Sequence, residues 1–229
     1  MASESESPAI HRNERQIQPE TGRRPPSLVG VVGPIGAGKS TLAAGLAAAL
    51  GFQLFVERVD DNPFFTRFAG DPPTWVFRSQ LAFMMNAVSD AIEARHRGDA
   101  VIERPVQEMY GIFVRDQMRN KLISEEEEAL LRQLVEIGDR AGARPDLLIA
   151  VTAPPDLLYG RISSRARPGE EHYSLEYIER LAGSYDSWLS SCPVPFIGID
   201  SGTRDIRDPP TVKDFAALVE EELSGLARP

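Results

Sequence analysis

Residues 28–42 read LVGVVGPIGAGKSTL, a run of small apolar residues that leads into a glycine-rich turn. The apolar run predicts a short buried β-strand, and the residues after the turn predict a helix that ends at Gly51. The turn and Lys39-Ser40 hold the spacing G-x-x-x-x-G-K-S, the full Walker A pattern, in its required place between a strand and a helix. This stretch therefore predicts a P-loop.

A P-loop binds phosphates through its backbone, because its glycines let successive N–H groups turn inward. Lys39 would place its charge at the β- and γ-phosphates, and the hydroxyl of Ser40 would ligate Mg²⁺. We expect ATP and Mg²⁺ as ligands; the alternative, a glycine-rich turn without a ligand, is disfavoured by the complete match. The predicted donor-binding residues of the loop are Gly33, Pro34, Ile35, Gly36, Ala37, Gly38, Lys39, Ser40 and Thr41.

The composition of the chain limits which kinds of protein and which partners are compatible with it. The chain has 229 residues, 42% hydrophobic and 26% charged, as expected of an ordinary globular α/β domain. Its net charge of −9 argues against nucleic acid as a partner, since phosphate backbones require basic surfaces. No apolar run is long enough to predict a membrane span. Cys192 is the only cysteine, which fits a reducing compartment, so we expect a cytoplasmic protein.

The order of predicted elements indicates the fold. Residues 1–26 are polar and aperiodic and are predicted to be a disordered tail, whereas residues 27–229 form one domain. Short apolar segments alternate with helical ones, which predicts a P-loop NTPase-type three-layer α/β/α fold with a five-stranded parallel sheet. The predicted strands span 28–32, 52–57, 99–104, 146–153 and 195–200. The predicted helices span 41–50, 74–97, 105–119, 125–142, a segment opened by Pro155, and 212–226.

Charged residues follow two of these strands. Glu57 stands at the tip of the second strand, and Glu103-Arg104 ends the third. The carboxyl edge of an open parallel sheet is where α/β proteins bind ligands. We therefore expect these residues to face the phosphate loop.

Five stretches in this order resemble the deoxynucleoside kinase family, nearest to its bacterial deoxyadenosine/deoxyguanosine kinases. They are VGVVGPIGAGKSTLAAGL, VERVDDNPFF, the helix that carries Gln80, VIERPVQEMYGIF and RISSRARPGEEHYSLEYIERL. The resemblance covers Leu28 to Leu223, and five ordered motifs are far more specific than a Walker A pattern alone. It implies transfer of the ATP γ-phosphate to the 5′-hydroxyl of a nucleoside.

The resemblance implies a role for each charged residue at the sheet edge. Glu57 matches the general base that takes the proton of the 5′-hydroxyl. Glu103 matches the acid that helps hold Mg²⁺, and Arg104 matches the arginine that contacts both the 5′-oxygen and the base carboxylate. The structural alternatives are a carboxylate that caps the following turn, for Glu57, and a strand-end ion pair, for Glu103-Arg104.

The stretch RISSRAR resembles the family's lid, placed here at about residues 161–172. Arg161 would lie along the adenine, and Arg165 and Arg167 would grip phosphates. The alternative is a solvated basic helix end. Glu170 or Glu171 matches the lid carboxylate that reaches the sugar 3′-hydroxyl, and Glu171 is preferred. The later stretch IDSGTRDIRD resembles the loop around the adenine.

Acceptor recognition is where the sequence departs from the family. Gln80 matches the glutamine that binds the nucleobase edge, and Phe113 is a candidate to line the same cleft, as are Phe64, Trp75 and Phe77. Three positions differ from most relatives: Ala69 replaces a tyrosine that helps bind the 3′-hydroxyl, Pro105 replaces a serine, and Met109 replaces an aspartate near the base. We therefore expect an unusual or relaxed acceptor specificity.

The sequence leaves two other functions open. A nucleoside monophosphate kinase shares the P-loop, the acid–arginine pair and a lid, but Glu57 would repel the phosphate of such an acceptor. A non-catalytic nucleotide-binding subunit is the other alternative. The resemblance further implies a homodimer that packs through its long helices.

Overall fold

A computed structural model of the chain describes residues 25–167, 170 and 173–226. Its centre is a five-stranded, all-parallel sheet in the order β2-β3-β1-β4-β5. This confirms the predicted fold class. The strands are β1 (Leu28–Val32), β2 (Gln53–Phe55), β3 (Ala100–Glu103), β4 (Leu147–Thr152) and β5 (Phe196–Asp200).

Helices connect the strands and cover both faces of the sheet. A π-helical segment, Met109–Val114, lies between α4 and α5, so that the three pieces run on as one helix. The helices of the described residues are α1 (Lys39–Leu50), α2 (Phe65–Gly70), α3 (Pro72–Arg97), α4 (Val106–Glu108), α5 (Arg115–Arg119), α6 (Glu125–Arg140), α7 (Pro155–Arg165), α8 (Leu175–Ser191) and α9 (Pro209–Leu226).

The core forms because alternate residues of the strands face opposite sides of the sheet. Val29 and Val31 of β1 pack in a cluster with α1, α7 and α9. Leu28 packs on the other side with α3, α4 and α6, and Val32 packs there with Leu189 of α8. Both faces are covered, which explains why β1 is an unbroken apolar run rather than an alternating one.

Several details differ from the sequence prediction. The second strand is shorter than predicted because only Gln53–Phe55 pair with β3, and Leu54 of this edge strand is exposed. The predicted 105–119 helix is interrupted by the π-helical segment. Helices α2 and α8 were not predicted. The S-x-x-E spacing of Ser124 and Glu127 predicts a capping box, and the structure confirms it: Ser124 accepts from the Glu127 amide, and the Glu127 carboxylate accepts from the Ser124 amide.

None of the helices in the described part of the chain is long and apolar enough to cross a membrane. The predicted tail lies almost wholly outside the described residues, so the division of the chain at residue 26 stays a prediction. The parallel sheet brings the carboxyl ends of β1, β2 and β3 to one edge. The charged residues Glu57, Glu103 and Arg104 lie at this edge.

Candidate active site

The phosphate loop joins β1 to α1. Gly33 and Gly38 have positive φ angles of 146° and 96°, and a Cβ on Gly33 would lie 2.1 Å from the carbonyl oxygen of Val151. Only glycine fits this turn without strain. Gly38 precedes α1, and no side chain of the described residues caps that helix. The first amides of α1 are thus available to an anion.

Lys39 is buried behind the loop. Its Nζ donates to the carbonyl oxygens of Gly33, at 2.8 Å, and Pro34, at 3.0 Å. Burial, and next the charge of Arg104, lower the pKa of Lys39 to about 8, although nearby carboxylates act in the opposite direction. The loop carbonyl oxygens thus hold the ammonium group in place. Because the site lowers the pKa of Lys39, a bound anion would stabilise its charged form.

Ser40 and Glu103, the two residues predicted to hold Mg²⁺, contact each other. The hydroxyl of Ser40, at the start of α1, donates to Oε1 of Glu103, at the end of β3, over 2.7 Å. The described residues contain no cluster of three or more side chains suited to an all-protein metal cage. Mg²⁺ at phosphate sites needs no such cage, because it takes one or two protein oxygens and completes its shell with water and phosphate. These two residues fit that requirement.

Arg104 occupies the centre of the site and is almost fully buried. Its Nε lies 2.9 Å from Oε2 of Glu57, and its Nη1 lies 3.5 Å from Oε1 of Glu108. Burial lowers the pKa of Arg104, but the carboxylates of Glu57 and Glu108 outweigh it and hold the pKa well above its usual value. Nε–H and Nη1–H are both buried and face these carboxylates without an aligned hydrogen bond to any of the described residues.

A cavity of about 500 Å³ extends from the phosphate loop past this cluster. Of the predicted acceptor residues, it brings together Glu57, Gln80, Arg104, Met109 and Phe113. The guanidinium of Arg104 lies over the ring of Phe113, 4.7 Å from its centroid. Phe64 instead stacks on Trp75. Glu171 lies outside the described residues, as does the side chain of Ala69.

The arginines of the predicted lid divide between two cavities. Arg165 and Arg167 line the first, where Arg165 pairs with both carboxylate oxygens of Glu170 at 2.7 Å. Arg161 lines a second cavity of about 520 Å³ and donates to the hydroxyl and the carbonyl oxygen of Ser201, each at 2.9 Å. This second cavity is bounded by Gly36, Gly38, Thr41 and residues 201–207, the stretch predicted to surround the adenine.

Not every residue of the predicted loop set lines these cavities. Ile35, Gly36, Gly38, Lys39, Ser40 and Thr41 line the first. The others have framework contacts: Gly33 and Pro34 accept from Lys39, and the carbonyl oxygen of Ala37 accepts from Ser201. Their part in nucleotide binding stays a prediction.

The structure also brings in residues that the sequence analysis did not identify. Glu108 contacts Arg104 and the Gly33 amide, and Tyr185 donates to Glu108. The sequence gives one indication that Glu108 lies near the site, namely that it directly precedes Met109, a predicted acceptor residue. Further polar side chains that line the first cavity are those of Asp116, Gln117, Asn120, Tyr173, Tyr177 and Arg180.

Comparisons with known proteins identify relatives of this chain. The chain is 30% identical over 174 residues to a deoxyadenosine/deoxycytidine kinase of Bacillus subtilis, covering 73% of this chain and 80% of that protein. It is 32% identical over 170 residues to a deoxyguanosine kinase of Lactobacillus acidophilus, covering 71% and 75%.

In fold, the chain resembles the structure of the deoxyadenosine kinase of M. mycoides with bound dCTP. The TM-score is 0.67 at 22% identity, and the match covers 86% of this chain and 99% of that one. The model of the family described as "Deoxynucleoside kinase" matches residues 29–223, nearly the whole described chain. The chain therefore belongs to the deoxynucleoside kinase family.

Proposed function

We propose that this kinase transfers the γ-phosphoryl group of ATP to the 5′-hydroxyl of deoxynucleosides with relaxed base selectivity, and that Glu57 is its general base. The observation that carries the proposal is the placement of Glu57 and Arg104, 2.9 Å apart, in one cavity with Lys39 and Ser40 of the phosphate loop. A carboxylate beside a phosphate loop suits an uncharged hydroxyl acceptor.

The donor would be bound by the P-loop and the lid arginines. The loop amides and Lys39 would hold the phosphates, and Arg165 and Arg167, which line the same cavity, would neutralise charge on the transferred group. Arg161 would lie at the adenine, beside Ser201. Ser40 and Glu103 would hold Mg²⁺, which supplies charge neutralisation at the phosphate oxygens.

The acceptor would lie between Glu57 and Gln80. Glu57 takes the proton of the 5′-hydroxyl while the hydroxyl oxygen forms a bond to the γ-phosphorus of ATP. The bond between that phosphorus and the oxygen that bridges it to the β-phosphate breaks, and ADP is released. Arg104, which lines the cavity beside Glu57, would donate to the attacking oxygen or the transferred phosphoryl group. Met109 offers the base an apolar contact and no hydrogen bond.

The rival functions are less well supported. A monophosphate acceptor would bring a phosphate against Glu57, whose carboxylate would repel it. A non-catalytic subunit would have no use for a base, a metal pair and a buried lysine in one cavity.

The homodimer also remains a proposal. The long helices α3 and α6 pack against each other, and Met85, Leu130 and Ile137 on them are exposed apolar side chains. Light scattering of the wild type and of Leu130→Glu would test this arrangement, because a charge in the interface should produce monomers. A cytoplasmic location rests on the single cysteine, Cys192.

ADP release measured with each deoxynucleoside, ribonucleoside and nucleoside monophosphate tests the proposed reaction. We expect turnover with several deoxynucleosides and none with monophosphates. Turnover with monophosphates alone would establish the rival kinase, and no turnover with any acceptor would refute the kinase activity.

A further inference from the structure

Glu108 lies directly behind the phosphate loop and is wholly buried. It ends α4, the short helix after β3. Its Oε1 accepts from the amide of Gly33 at 3.1 Å and from the hydroxyl of Tyr185 at 2.5 Å. The same oxygen lies 3.5 Å from Nη1 of Arg104. One carboxylate oxygen thus contacts the phosphate loop, the arginine of the site and helix α8.

A carboxylate in this position is costly for folding alone. Its Oε2 has no hydrogen-bond partner among the described residues, and burial raises the pKa of Glu108. A buried charge is often matched or surpassed in stability by apolar side chains of similar volume. Glu108 nevertheless sits where its charge faces Arg104 and Lys39, the two buried cations of the site. This placement suits a role in arranging those cations.

The contacts form a continuous link from the acceptor side of the cavity to the donor side. Arg104 contacts Glu57 on one side and Glu108 on the other. Glu108 accepts a hydrogen bond from the Gly33 amide, and the Gly33 carbonyl oxygen accepts one from Nζ of Lys39. A displacement of Glu108 would therefore move Arg104 relative to the loop that holds the donor.

Helix α8 fixes Glu108 from behind. Tyr185 is fully buried, and its ring meets that of Trp188 edge-on. Trp188 in turn packs on Gly111 of the π-helical segment, where an added Cβ would lie 2.3 Å from the indole nitrogen. Tyr185 thus reaches Glu108 from a rigid element, which limits the rotamers of the carboxylate.

We propose that Glu108 is a positioning residue for phosphoryl transfer, which sets the Arg104 guanidinium relative to the phosphate loop and is itself held by Tyr185. The proposal rests on the kinase function proposed above and adds to it a residue that does not touch the substrates. Because it acts through Arg104, its loss should lower kcat and leave substrate binding nearly unchanged.

The test compares Glu108→Gln and Tyr185→Phe with the wild type in steady-state kinetics and thermal unfolding. We expect Glu108→Gln to lower kcat by about 10²-fold, as small misplacements of catalytic groups do. The KM values for ATP and nucleoside should stay within about threefold. Tyr185→Phe, which removes one hydroxyl and keeps the ring, should lower kcat by about three- to tenfold.

The chain offers a matched control pair outside the site. Tyr110 donates to Glu128, which joins the π-helical segment to α6, and neither residue lines the cavity. Tyr110→Phe and Glu128→Gln remove the same type of hydrogen bond and should leave kcat unchanged. A second comparison repeats Glu108→Gln in an Arg104→Gln background, where it should lower kcat by less than about threefold because the residue it positions is gone.

If the wild type is an active kinase and Glu108→Gln has the same kcat, the inference is overturned and the proposed function stands. An equal loss of kcat with and without Arg104 would also overturn the inference, since that marks a general structural effect. If Glu108→Gln does not fold, Tyr185→Phe decides, and unchanged kcat in that variant refutes the proposal. A wild type without nucleoside kinase activity would overturn both.

Discussion

Nε of Arg104 lies 2.9 Å from Oε2 of Glu57. This contact joins the chain directly after β3, at Arg104, to the chain shortly after β2, at Glu57. Arg104 adopts a φ of 53°, in the left-handed region that costs an L-residue about 1–2 kcal/mol. Its amide still donates to the Val31 carbonyl oxygen at 3.1 Å, so the chain turns sharply at the strand end. That turn sets the guanidinium between Glu57 and Glu108.

Replacement of Glu57 by glutamine should abolish most of the activity. Glutamine is nearly isosteric but cannot accept the proton of the 5′-hydroxyl, so kcat should fall by about 10²- to 10⁴-fold with smaller changes in KM. Steady-state rates with a saturating deoxynucleoside would measure the effect. Asp61→Asn, which changes an exposed acid paired with Arg58 three residues earlier in the chain, is the matched control. An active Glu57→Gln variant would remove the assignment of Glu57 as base.

The sequence was sufficient to predict the sheet and the main charges of the site. The P-loop spacing is local, and the carboxyl ends of parallel strands share one edge, so Glu57, Glu103 and Arg104 had to meet near Lys39. The capping box of α6 is local as well, since both its partners lie within one turn.

Long-range contacts and helix irregularity account for what the sequence did not indicate. Tyr185 and Glu108 are 77 residues apart, and nothing local marks them as partners. The π-helical segment Met109–Val114 fits an extra residue into its turn, which rotates the helix face that follows. A regular helical pattern across 105–119 therefore could not indicate that Asp116 and Gln117 line the cavity.

Removal of the Ser40 hydroxyl should weaken the response to magnesium. Ser40 and Glu103 are 2.7 Å apart, and a variant without the hydroxyl loses one of the two oxygens expected to hold the ion. We expect Ser40→Ala to raise the Mg²⁺ concentration for half-maximal activity by about tenfold or more. Ser190→Ala, an exposed serine of α8 that donates to its own helix, is the control. Superimposable Mg²⁺ titrations of wild type and Ser40→Ala would contradict the metal assignment.

The pH dependence of ATP capture should reflect Lys39. Its pKa is lowered to about 8, first by burial, so the free enzyme loses this positive charge as the pH rises through that value. kcat/KM for ATP should therefore be constant below about pH 8 and fall up to about tenfold per pH unit above it. Burial raises the pKa of Tyr173 to about 12 and raises that of Tyr185, so those phenols titrate above this range.

A Lys39→Arg variant provides the control for this profile. Its guanidinium keeps its charge throughout the range, so the remaining activity should lose the alkaline decline. A wild-type profile that stays flat to pH 10, or a decline that persists in Lys39→Arg, would show that another group titrates.

Base selectivity should depend on Asp116, a buried acid that lines the first cavity. Asp116 is buried, and its carboxylate accepts from Asn120 at 3.2 Å and from Arg180 at 3.4 Å, one bond on each oxygen, which leaves lone pairs for a further donor. A carboxylate accepts from the exocyclic amino group of a base and repels a carbonyl oxygen. Deoxycytidine and deoxyuridine differ at this exocyclic group and at the adjacent N3, which is protonated only in deoxyuridine. The change in the ratio of their kcat/KM values between wild type and an Asp116 variant therefore reports how Asp116 affects recognition of this edge of the base.

We expect Asp116→Asn to lower the deoxycytidine-to-deoxyuridine ratio by about tenfold or more, because the amide can donate to the carbonyl that the carboxylate rejects. Deoxyadenosine and deoxyinosine form a second pair with the same difference and should shift in the same direction. Asp186→Asn, an exposed acid of α8, should leave both ratios at their wild-type values. Equal losses for both members of each pair would mean that Asp116 maintains the shape of the cavity and does not read the base.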